Sequence, residues 1–411
     1  MALKRIPGYL DRYPAKMVSR LARSLIRKHC DKCTVLLDPF CGSGAIVTAA
    51  ASQGISTRAW DINPYAALLT SVKTSGFNKA KASRLLDGCV RKATAPGAKR
   101  LDVRLPGATY WFTPATLGKF ERLRASFKAA RLHRTRDGRA VLLACALAVR
   151  LCSRADQRSP KPFISRSARK LRKGRHFDPN KYIPAILDAL SSIYPLPKRN
   201  TTLVRVCDVR RARPSRPFAS HVVTSPPYLN AQDYYRNSKL ELAVLDGLIP
   251  FDIAEVRNGM IGTERGSIDM RLTNTIQPDV AKLLRGWHSL IRRRPREAWI
   301  VARYIRGMES AVKAVDRCLK PGGTFVLVCG DNLVAGVHIR TSRVLTHLIT
   351  SRLGYVSVSA TRDRIKRRYL APRRMGHRSI IKTEIISVFV KPTGSDVRRV
   401  SGAAAASRKA A

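Results

Sequence analysis

The stretch from residue 34 to residue 61 restricts the possible folds of this chain more than any other segment. "TVLL" is a short apolar run typical of a buried strand, and it leads into "DPFCGSG" (Asp38 to Gly44), a turn that contains two glycines. The following "AIVTAAASQG" is typical of a helix, and "STRAWD" is a second strand that ends at Asp61. A strand, a turn, a helix and another strand form one βαβ unit, so we predict a parallel sheet.

The same alternation returns in the second half of the chain. "TTLVRVCD" (201–208) and "HVVTSPPY" read as strands, and a helix around 300–319 leads through the Gly-Gly turn of "LKPGG" into a fifth strand, "TFVLVC". "GYVSVSATR" and "TEIISVFVKP" alternate as an antiparallel pair at the sheet edge does. We therefore predict a Rossmann-like α/β fold whose seven-stranded sheet is mostly parallel and has an antiparallel edge strand.

Helical periodicity fills most of the remaining sequence. Residues 15–29 carry apolar side chains at helical spacing, and "NPYAALLTSVKT" opens a helix with Pro64 in its first turn. Residues 80–200 break the βα alternation with helices predicted at 116–131 and 138–153. This region is predicted to be a helical, basic insert in the sheet domain.

The charge of the chain indicates a polyanionic partner. Lysine and arginine number 78 against 27 acidic residues, a formal net charge of +51, and nucleic acid rewards such a surface through phosphate contacts. The alternative is a solvated cationic surface without a polyanionic partner. No apolar run approaches the ~20 residues of a membrane-spanning helix, and "MALKRIPGYLDRYPAK" lacks a signal-peptide core. We therefore expect a cytoplasmic protein that does not contact a membrane.

The glycine turn and Asp61 together suggest a nucleoside-containing cofactor. Gly42 and Gly44 let the backbone approach a ligand closely, and a carboxylate at the end of the next strand can accept both hydroxyls of a ribose. A G-x-x-x-x-G-K-[ST] loop for a triphosphate is absent, and "FCGSG" does not match the dinucleotide pattern G-x-G-x-x-G.

The "TSPPY" corner (Thr224 to Tyr228) points to a planar amine. Pro226 and Pro227 remove two backbone donors, so carbonyl groups and the Ser225 hydroxyl form a rigid set of acceptors beside the ring of Tyr228. Such a corner suits a flat group with an exocyclic NH2, which would stack on the tyrosine. The alternative interpretation is a tight turn with a tyrosine in the core.

Several motifs in this order resemble the DNA amino-methyltransferases, which use S-adenosylmethionine to methylate N4 of cytosine or N6 of adenine. "DPFCGSG", "WDINP" and "TSPPY" carry the resemblance, and "YPAKM" is similar to the N-terminal cofactor motif of that family. "VCDVR", "LNAQDYYRNSKLELAVL" and "LKPGG" extend it over most of residues 13–391. The resemblance implies a class I (Rossmann-like) methyltransferase fold.

The resemblance also implies a role for each matching residue. The predicted cofactor-binding residues are Tyr13 and Lys16 at the methionine end, Asp38, Phe40, Gly42 and Gly44 in the turn, Asp61 on the ribose, Ile62 against the adenine, and Asp208 near the adenine amino group. The predicted catalytic pocket consists of Ser225, Pro226, Pro227 and Tyr228.

Serine at the first position of this pocket favours cytosine N4 over adenine N6 in the family that the chain resembles. The corner has no cysteine beside a proline, which argues against methylation of cytosine C5. Methylation of an amino group in RNA remains an alternative because the charge suits RNA equally well. A catalytically inactive DNA-binding relative and a small-molecule methyltransferase are further alternatives.

The predicted division of the chain follows from these motifs. Residues 1–84 would hold the cofactor, residues 85–200 would form the helical basic insert and candidate recognition region, residues 201–392 would carry the catalytic corner, and residues 393–411 would be disordered. Residues 250–296, "SPKPFISRSARKLRKGRHF" and "RDRIKRRYLAPRR" are further candidates for contact with duplex DNA. A cognate restriction endonuclease is a possible partner of such a bacterial enzyme.

The cysteines indicate reduced thiols rather than a metal site. Nine cysteines occur, several of them within apolar runs. His29, Cys30 and Cys33 lie close together in "KHCDKC", but no second pair follows at zinc-finger spacing. We therefore predict no metal.

Overall fold

A seven-stranded sheet organises the protein. The computed structural model describes residues 17–32, 34–156, 159, 161–164, 178–194, 202–229, 234–365 and 383–393. The sheet has the strand order β3-β2-β1-β4-β5-β9-β8, and β6 and β7 form a separate hairpin. The strands are β1 (Val35–Asp38), β2 (Ser56–Asp61), β3 (Thr202–Val206), β4 (Ala219–Thr224), β5 (Leu319–Gly330), β6 (Asn332–Val334), β7 (Val337–Ile339), β8 (Val356–Arg364) and β9 (Thr383–Val390).

The predicted fold class is confirmed. Strands β1 to β5 pair in parallel, in the order given above. Strand β9 pairs antiparallel with both β5 and β8. The strand that runs against the others is thus β9, and β8 closes the sheet outside it. This arrangement is that of a Rossmann-like methyltransferase sheet.

Helices cover both faces of the sheet. They are α1 (Ser19–His29), α2 (Ala45–Ala51), α3 (Pro64–Ser75), α4 (Lys79–Thr94), α5 (Ala108–Trp111), α6 (Pro114–Ala129), α7 (Arg136–Cys152), α8 (Pro179–Ile193), α9 (Tyr234–Leu245), α10 (Ile253–Gly259), α11 (Arg271–Asn274), α12 (Pro278–Leu283), α13 (Trp287–Arg293), α14 (Pro295–Cys318) and α15 (Thr341–Leu353). Two short 3₁₀ turns span Leu132–Arg134 and Val209–Arg211.

Side-chain caps place two helix starts earlier than the apolar pattern predicted. The side chain of Thr113 accepts from the backbone N–H of Thr116, so α6 begins at Pro114. Thr135 accepts from the N–H of Gly138 in the same way and starts α7 at Arg136. Apolar periodicity begins only where side chains turn inward, which is after the capped first turn.

The "LKPGG" turn is shorter than the sequence suggested. Strand β5 follows α14 directly, because Leu319 already pairs with Ala219 of β4. The ladder then shifts, and the next pair joins Thr324 to His221. The intervening residues bulge from the ladder and bond instead to Lys391, whose carbonyl accepts from the N–H of Gly322 at 2.8 Å.

The core is divided between two large apolar clusters. One is formed by the helices α3, α4, α6, α7, α8 and α9, with α7 buried along nearly its whole length. The other joins a face of the sheet to α14 and α15. The stretch 250–296, which reads as polar and basic, contributes Val280, Leu284 and Trp287 to this second cluster. The cationic residues of this stretch therefore belong to a folded segment.

None of the helices in the described residues is long and apolar enough to cross a lipid bilayer.

Candidate functional site

The two main sequence motifs meet at the carboxyl edge of the sheet. Strands β1 and β4 pair in parallel, so Asp38 at the end of β1 lies beside Thr224 at the end of β4. The Thr224 hydroxyl donates to Asp38 Oδ1 at 2.8 Å, and the N–H of Phe40 donates to the same oxygen at 3.2 Å. The first residues of the glycine turn and of the "TSPPY" corner, Asp38 and Thr224, are thus hydrogen-bonded to each other.

The glycine turn is held by α3. Gly44 has a φ of 78°, a conformation that favours glycine, and a Cβ there would lie 2.7 Å from Thr70 Oγ1. Both the backbone conformation and the lack of space therefore disfavour other residues at this position. The Thr70 hydroxyl donates to the carbonyl of Gly42 at 3.0 Å. Lys73 donates to the carbonyl of Ser43 at 3.0 Å. The backbone of the turn is therefore fixed from behind, and its other side faces a cleft.

Asp61 links the end of β2 to this turn. One carboxylate oxygen accepts from the N–H of Gly42 and the other from the N–H of Asn63, both at 2.8 Å. The pKa of Asp61 is raised to about 6, because the effect of burial exceeds the lowering effect of the two hydrogen bonds. A carboxylate has about four acceptor directions, so each oxygen can still accept a hydrogen bond from a ligand.

Asp38 is the most deeply buried acid of the site. Its side chain is 1% exposed. Its pKa is raised to about 7: burial raises it most, the bonds from Thr224 and Phe40 lower it, and the nearby Asp61 carboxylate raises it slightly. Its hydrogen bonds connect two strand ends, which fits a positioning role for this carboxylate.

A cleft of about 850 Å³ opens beside these strand ends. Of the residues predicted to form the site, eight line it, namely Asp38, Phe40, Gly42, Asp61, Ile62, Asp208, Ser225 and Pro227. Gly44, Pro226 and Tyr228 do not line it: Gly44 packs against Thr70, and the Tyr228 side chain extends to β9. Tyr13 and Lys16 lie outside the described residues.

Asp208 forms an ion pair with Arg210, a partner that the motif did not predict. Its two carboxylate oxygens accept from the guanidinium of Arg210 at 2.7–3.1 Å. Arg210 also donates to the carbonyl of Gly259 at the end of α10. Much of the acceptor capacity of Asp208 is therefore used to fix α10 over the cleft.

The "TSPPY" corner ends in a chain of hydroxyl groups. Ser225 Oγ donates to the Tyr228 hydroxyl at 3.3 Å, and that hydroxyl donates to Glu384 Oε1 on β9 at 2.7 Å. Burial and, next, the Glu384 carboxylate raise the pKa of Tyr228 well above its ordinary value. We refer to these three residues as the Ser225–Tyr228–Glu384 chain.

Sequence reasoning missed several residues of the cleft. Gly259, Met260 and Ile261 at the end of α10 line it, as does Tyr234 at the start of α9. Burial and the nearby Asp61 carboxylate raise the pKa of Tyr234 above its ordinary value. Asp252 and Glu255 mark the start of α10 in the sequence, since the Asp252 side chain accepts from the N–H groups of Ala254 and Glu255. No local pattern shows that the end of this helix lines the cleft, because that depends on tertiary packing.

The described residues contain no group of three or more metal-ligating side chains. Cys33, which belongs to the "KHCDKC" motif, lies outside them. Burial raises the pKa of Cys30 to about 12, as expected for an inert thiol.

The first part of the chain is similar to a known protein family. Residues 8–88 match the UPF0020 family, described as an RMKL-like methyltransferase domain. This segment is similar to a methyltransferase domain. It contains β1, the glycine turn, β2 and α3, and it ends well before Ser225.

A curated protein is similar to part of this chain. The type II methyltransferase M.MjaII of Methanocaldococcus jannaschii is 27% identical over 74 residues. These residues make up 18% of this chain and 14% of the relative, so the match spans a small part of either protein.

Proposed function

We propose that this protein is a DNA methyltransferase that transfers a methyl group from S-adenosylmethionine to the exocyclic amine of a flipped base, with cytosine N4 as the favoured target. One observation carries the proposal: Asp61, at the end of β2, and Ser225, after β4, line the same cleft. An acid suited to a ribose and an acceptor suited to an amine thus share one cavity.

The lining of the cleft fits the proposed cofactor. Asp61 would accept the ribose hydroxyls with its remaining acceptor directions, and Ile62 would contact the adenine from one side. Met260 and Ile261 provide further apolar surface for the ring. Gly42 and Phe40 would face the methionine part, with Tyr13 and Lys16 proposed to cover its end.

The residues of the corner would activate the amine. When bound, S-adenosylmethionine would supply an electrophilic methyl group on its sulfonium sulfur. An aromatic amine is a weak nucleophile because its lone pair is delocalised into the ring. Ser225 Oγ and a carbonyl beside Pro226 would accept its hydrogens, so that the nitrogen can become tetrahedral. No covalent enzyme adduct is needed.

The substrate is proposed to be DNA, on the strength of the motifs and the charge. A cluster of cations around Tyr235 lies next to the cleft: the guanidinium groups of Arg257 and Arg265 lie 6.0 and 5.5 Å from its ring. These groups would contact phosphates or an extrahelical base. RNA is the second candidate, because the +51 net charge favours any nucleic acid.

We expect cofactor affinity to decrease when the pH falls below about 6. The pKa of Asp61 is raised to about 6 in the folded chain, so the carboxylate accepts both ribose hydroxyls only above that pH, and the protonated acid offers fewer acceptors. Binding of S-adenosylmethionine measured by calorimetry from pH 5 to pH 8 tests this. In Asp61→Asn the affinity should be lower throughout, and this step near pH 6 should be absent. The same step in Asp61→Asn would contradict the assignment.

Substitution Gly259→Val should weaken cofactor binding about tenfold, or ~1.4 kcal/mol. A Cβ at Gly259 would lie 2.7 Å from Ile62 Cδ1, so the larger side chain should push Ile62 into the cleft. Gly88→Val on α4 is the matched control, since its Cβ would meet only an Arg91 nitrogen at 3.9 Å. The shift of the thermal midpoint by S-adenosylmethionine should be reduced in the first variant only. Equal shifts in both would contradict the placement of the adenine beside Ile62.

A further inference from the structure

Glu384 lies on a different strand from every predicted site residue, yet its carboxylate contacts the catalytic corner. It is the second residue of β9, where it pairs with Gly330 of β5 on one side and Asp363 of β8 on the other. Its Oε1 accepts from the Tyr228 hydroxyl at 2.7 Å. The sheet thereby places an acid of its C-terminal part behind the "TSPPY" corner.

The chemistry of the Ser225–Tyr228–Glu384 chain fixes the direction of its hydrogens. An ionised carboxylate can only accept, so the Tyr228 hydroxyl must give its hydrogen to Glu384. The Tyr228 oxygen is then free to accept, and Ser225 gives its hydrogen to it. A serine whose single hydrogen is already donated can only accept at its remaining lone pairs.

We propose that Glu384 is a positioning residue that acts through Tyr228 to direct the Ser225 hydrogen away from the substrate, so that the Ser225 oxygen meets the target amine as an acceptor. The inference rests on the proposed function for its substrate, while the orientation of the hydroxyl groups is a property of the protein itself. Glu384 does not contact the reacting atoms.

Protonation of Glu384 would remove the constraint that points the Ser225 hydrogen away from the substrate. A protonated carboxyl group can donate to Tyr228, which could then donate to Ser225, and the Ser225 hydrogen would turn toward the amine. Two donors would then face each other, so turnover should fall with Glu384 protonation. Burial raises the pKa of Glu384, the bond from Tyr228 lowers it, and the charge of Asp363 raises it again.

The charged and titratable groups around Glu384 come from three elements of the described structure. Asp363 faces it from β8, with Arg362 and Arg364 in the adjoining ladder pairs. Cys329 on β5 is close enough for Glu384 to raise its thiol pKa, and Asp331 does so more strongly. Tyr228 approaches from the corner. Asp363 can therefore be neutralised to change the Glu384 environment without removing a member of the chain.

Substitution Asp363→Asn provides the sharpest test. Loss of its negative charge should lower the pKa of Glu384, so the acid limb of kcat, measured at saturating S-adenosylmethionine, should move to lower pH with its plateau unchanged. Saturating cofactor suppresses the contribution of Asp61, which acts on affinity. An acid limb at the same pH in Asp363→Asn would overturn the proposal.

The residues of the Ser225–Tyr228–Glu384 chain should act as one unit. We expect Glu384→Leu and Tyr228→Phe each to lower kcat about 10-fold to 100-fold, leave KM for S-adenosylmethionine unchanged, and lower it little further when combined. Glu384→Gln, which retains an acceptor oxygen, should recover part of the loss and lack the acid limb. Thr383→Val, on the neighbouring exposed position of β9, is the control and should behave as wild type. Additive losses would contradict a single chain.

A measurement that needs no substrate separates this inference from the proposed function. In protein labelled with ¹³Cζ-tyrosine, the signal lost in Tyr228→Phe should shift with pH as Glu384 titrates. That shift should move to lower pH in Asp363→Asn and disappear in Glu384→Gln. A Tyr228 signal that titrates equally in Glu384→Gln would overturn the inference, whether or not methyl transfer is detected.

Discussion

Replacing Ser225 with alanine is expected to lower kcat for methyl transfer by about 10²- to 10³-fold, the size of the loss when one preorganised polar group is removed from a site of charge development. The substitution removes the acceptor that the corner presents to the cleft. Cofactor affinity should be unchanged, because the carboxylate assigned to the ribose belongs to Asp61 on β2. Steady-state kinetics with calorimetric binding of S-adenosylmethionine measures both quantities.

A matched control for this variant is available on the same strand. Ser220→Ala removes a hydroxyl from β4 away from its carboxyl end, so its kcat should equal that of wild type. If Ser225→Ala also retained the wild-type kcat, the amine would not be held at this corner, and the proposed mechanism would be wrong.

Replacing Arg124 with methionine is expected to lower the free energy of unfolding by about 3–5 kcal/mol, because several buried carbonyl groups lose their donor at a cost of about 1–3 kcal/mol each. Arg124 is 1% exposed. Its guanidinium donates to the carbonyls of Leu101 and Val244 at 2.9 and 3.0 Å, and also to those of Asp102 and Asp246. Methionine fills similar space but would leave these buried acceptors without their donor.

The loss of stability should also affect the cleft, because Val244 lies in the last turn of α9 and Asp246 directly follows this helix, whose first residue is Tyr234. Lys128→Met is the control: it removes a cation from an exposed position of the same helix, α6, and should change the free energy of unfolding by less than about 0.5 kcal/mol. Thermal melts of both variants provide the comparison. Equal midpoints would show that the Arg124 bonds contribute little net stability.

The sheet could be predicted from sequence because each of its signals is local. The apolar run of β5 and the glycine turn before α2 are visible in short windows. The strands β8 and β9 were also predicted from alternation, although burial does not alternate along either of them. The bond from Gly42 to Asp61 also follows the pattern that a turn and the next strand end imply. In these segments local preference and tertiary structure agree.

The remaining features depend on contacts between distant segments. Glu384 occupies an ordinary polar position in an alternating strand, and only the order of β5, β9 and β8 brings it to Tyr228. Arg124 in "ERLRASF" reads as a surface cation, although it is buried. Asp208 matches a motif, but its partner Arg210 and their link to α10 follow from packing alone.

The most direct test of the proposed function is methyl transfer from labelled S-adenosylmethionine to mixed-sequence duplex DNA, followed by nucleoside mass spectrometry, with Ser225→Ala as the impaired control. We expect N4-methylcytosine from the wild type and a strongly reduced yield from the variant. N6-methyladenine would retain the mechanism and change the base. Label that appears in RNA and not in DNA, or DNA methylation that persists undiminished in Ser225→Ala, would show that the proposed function is wrong.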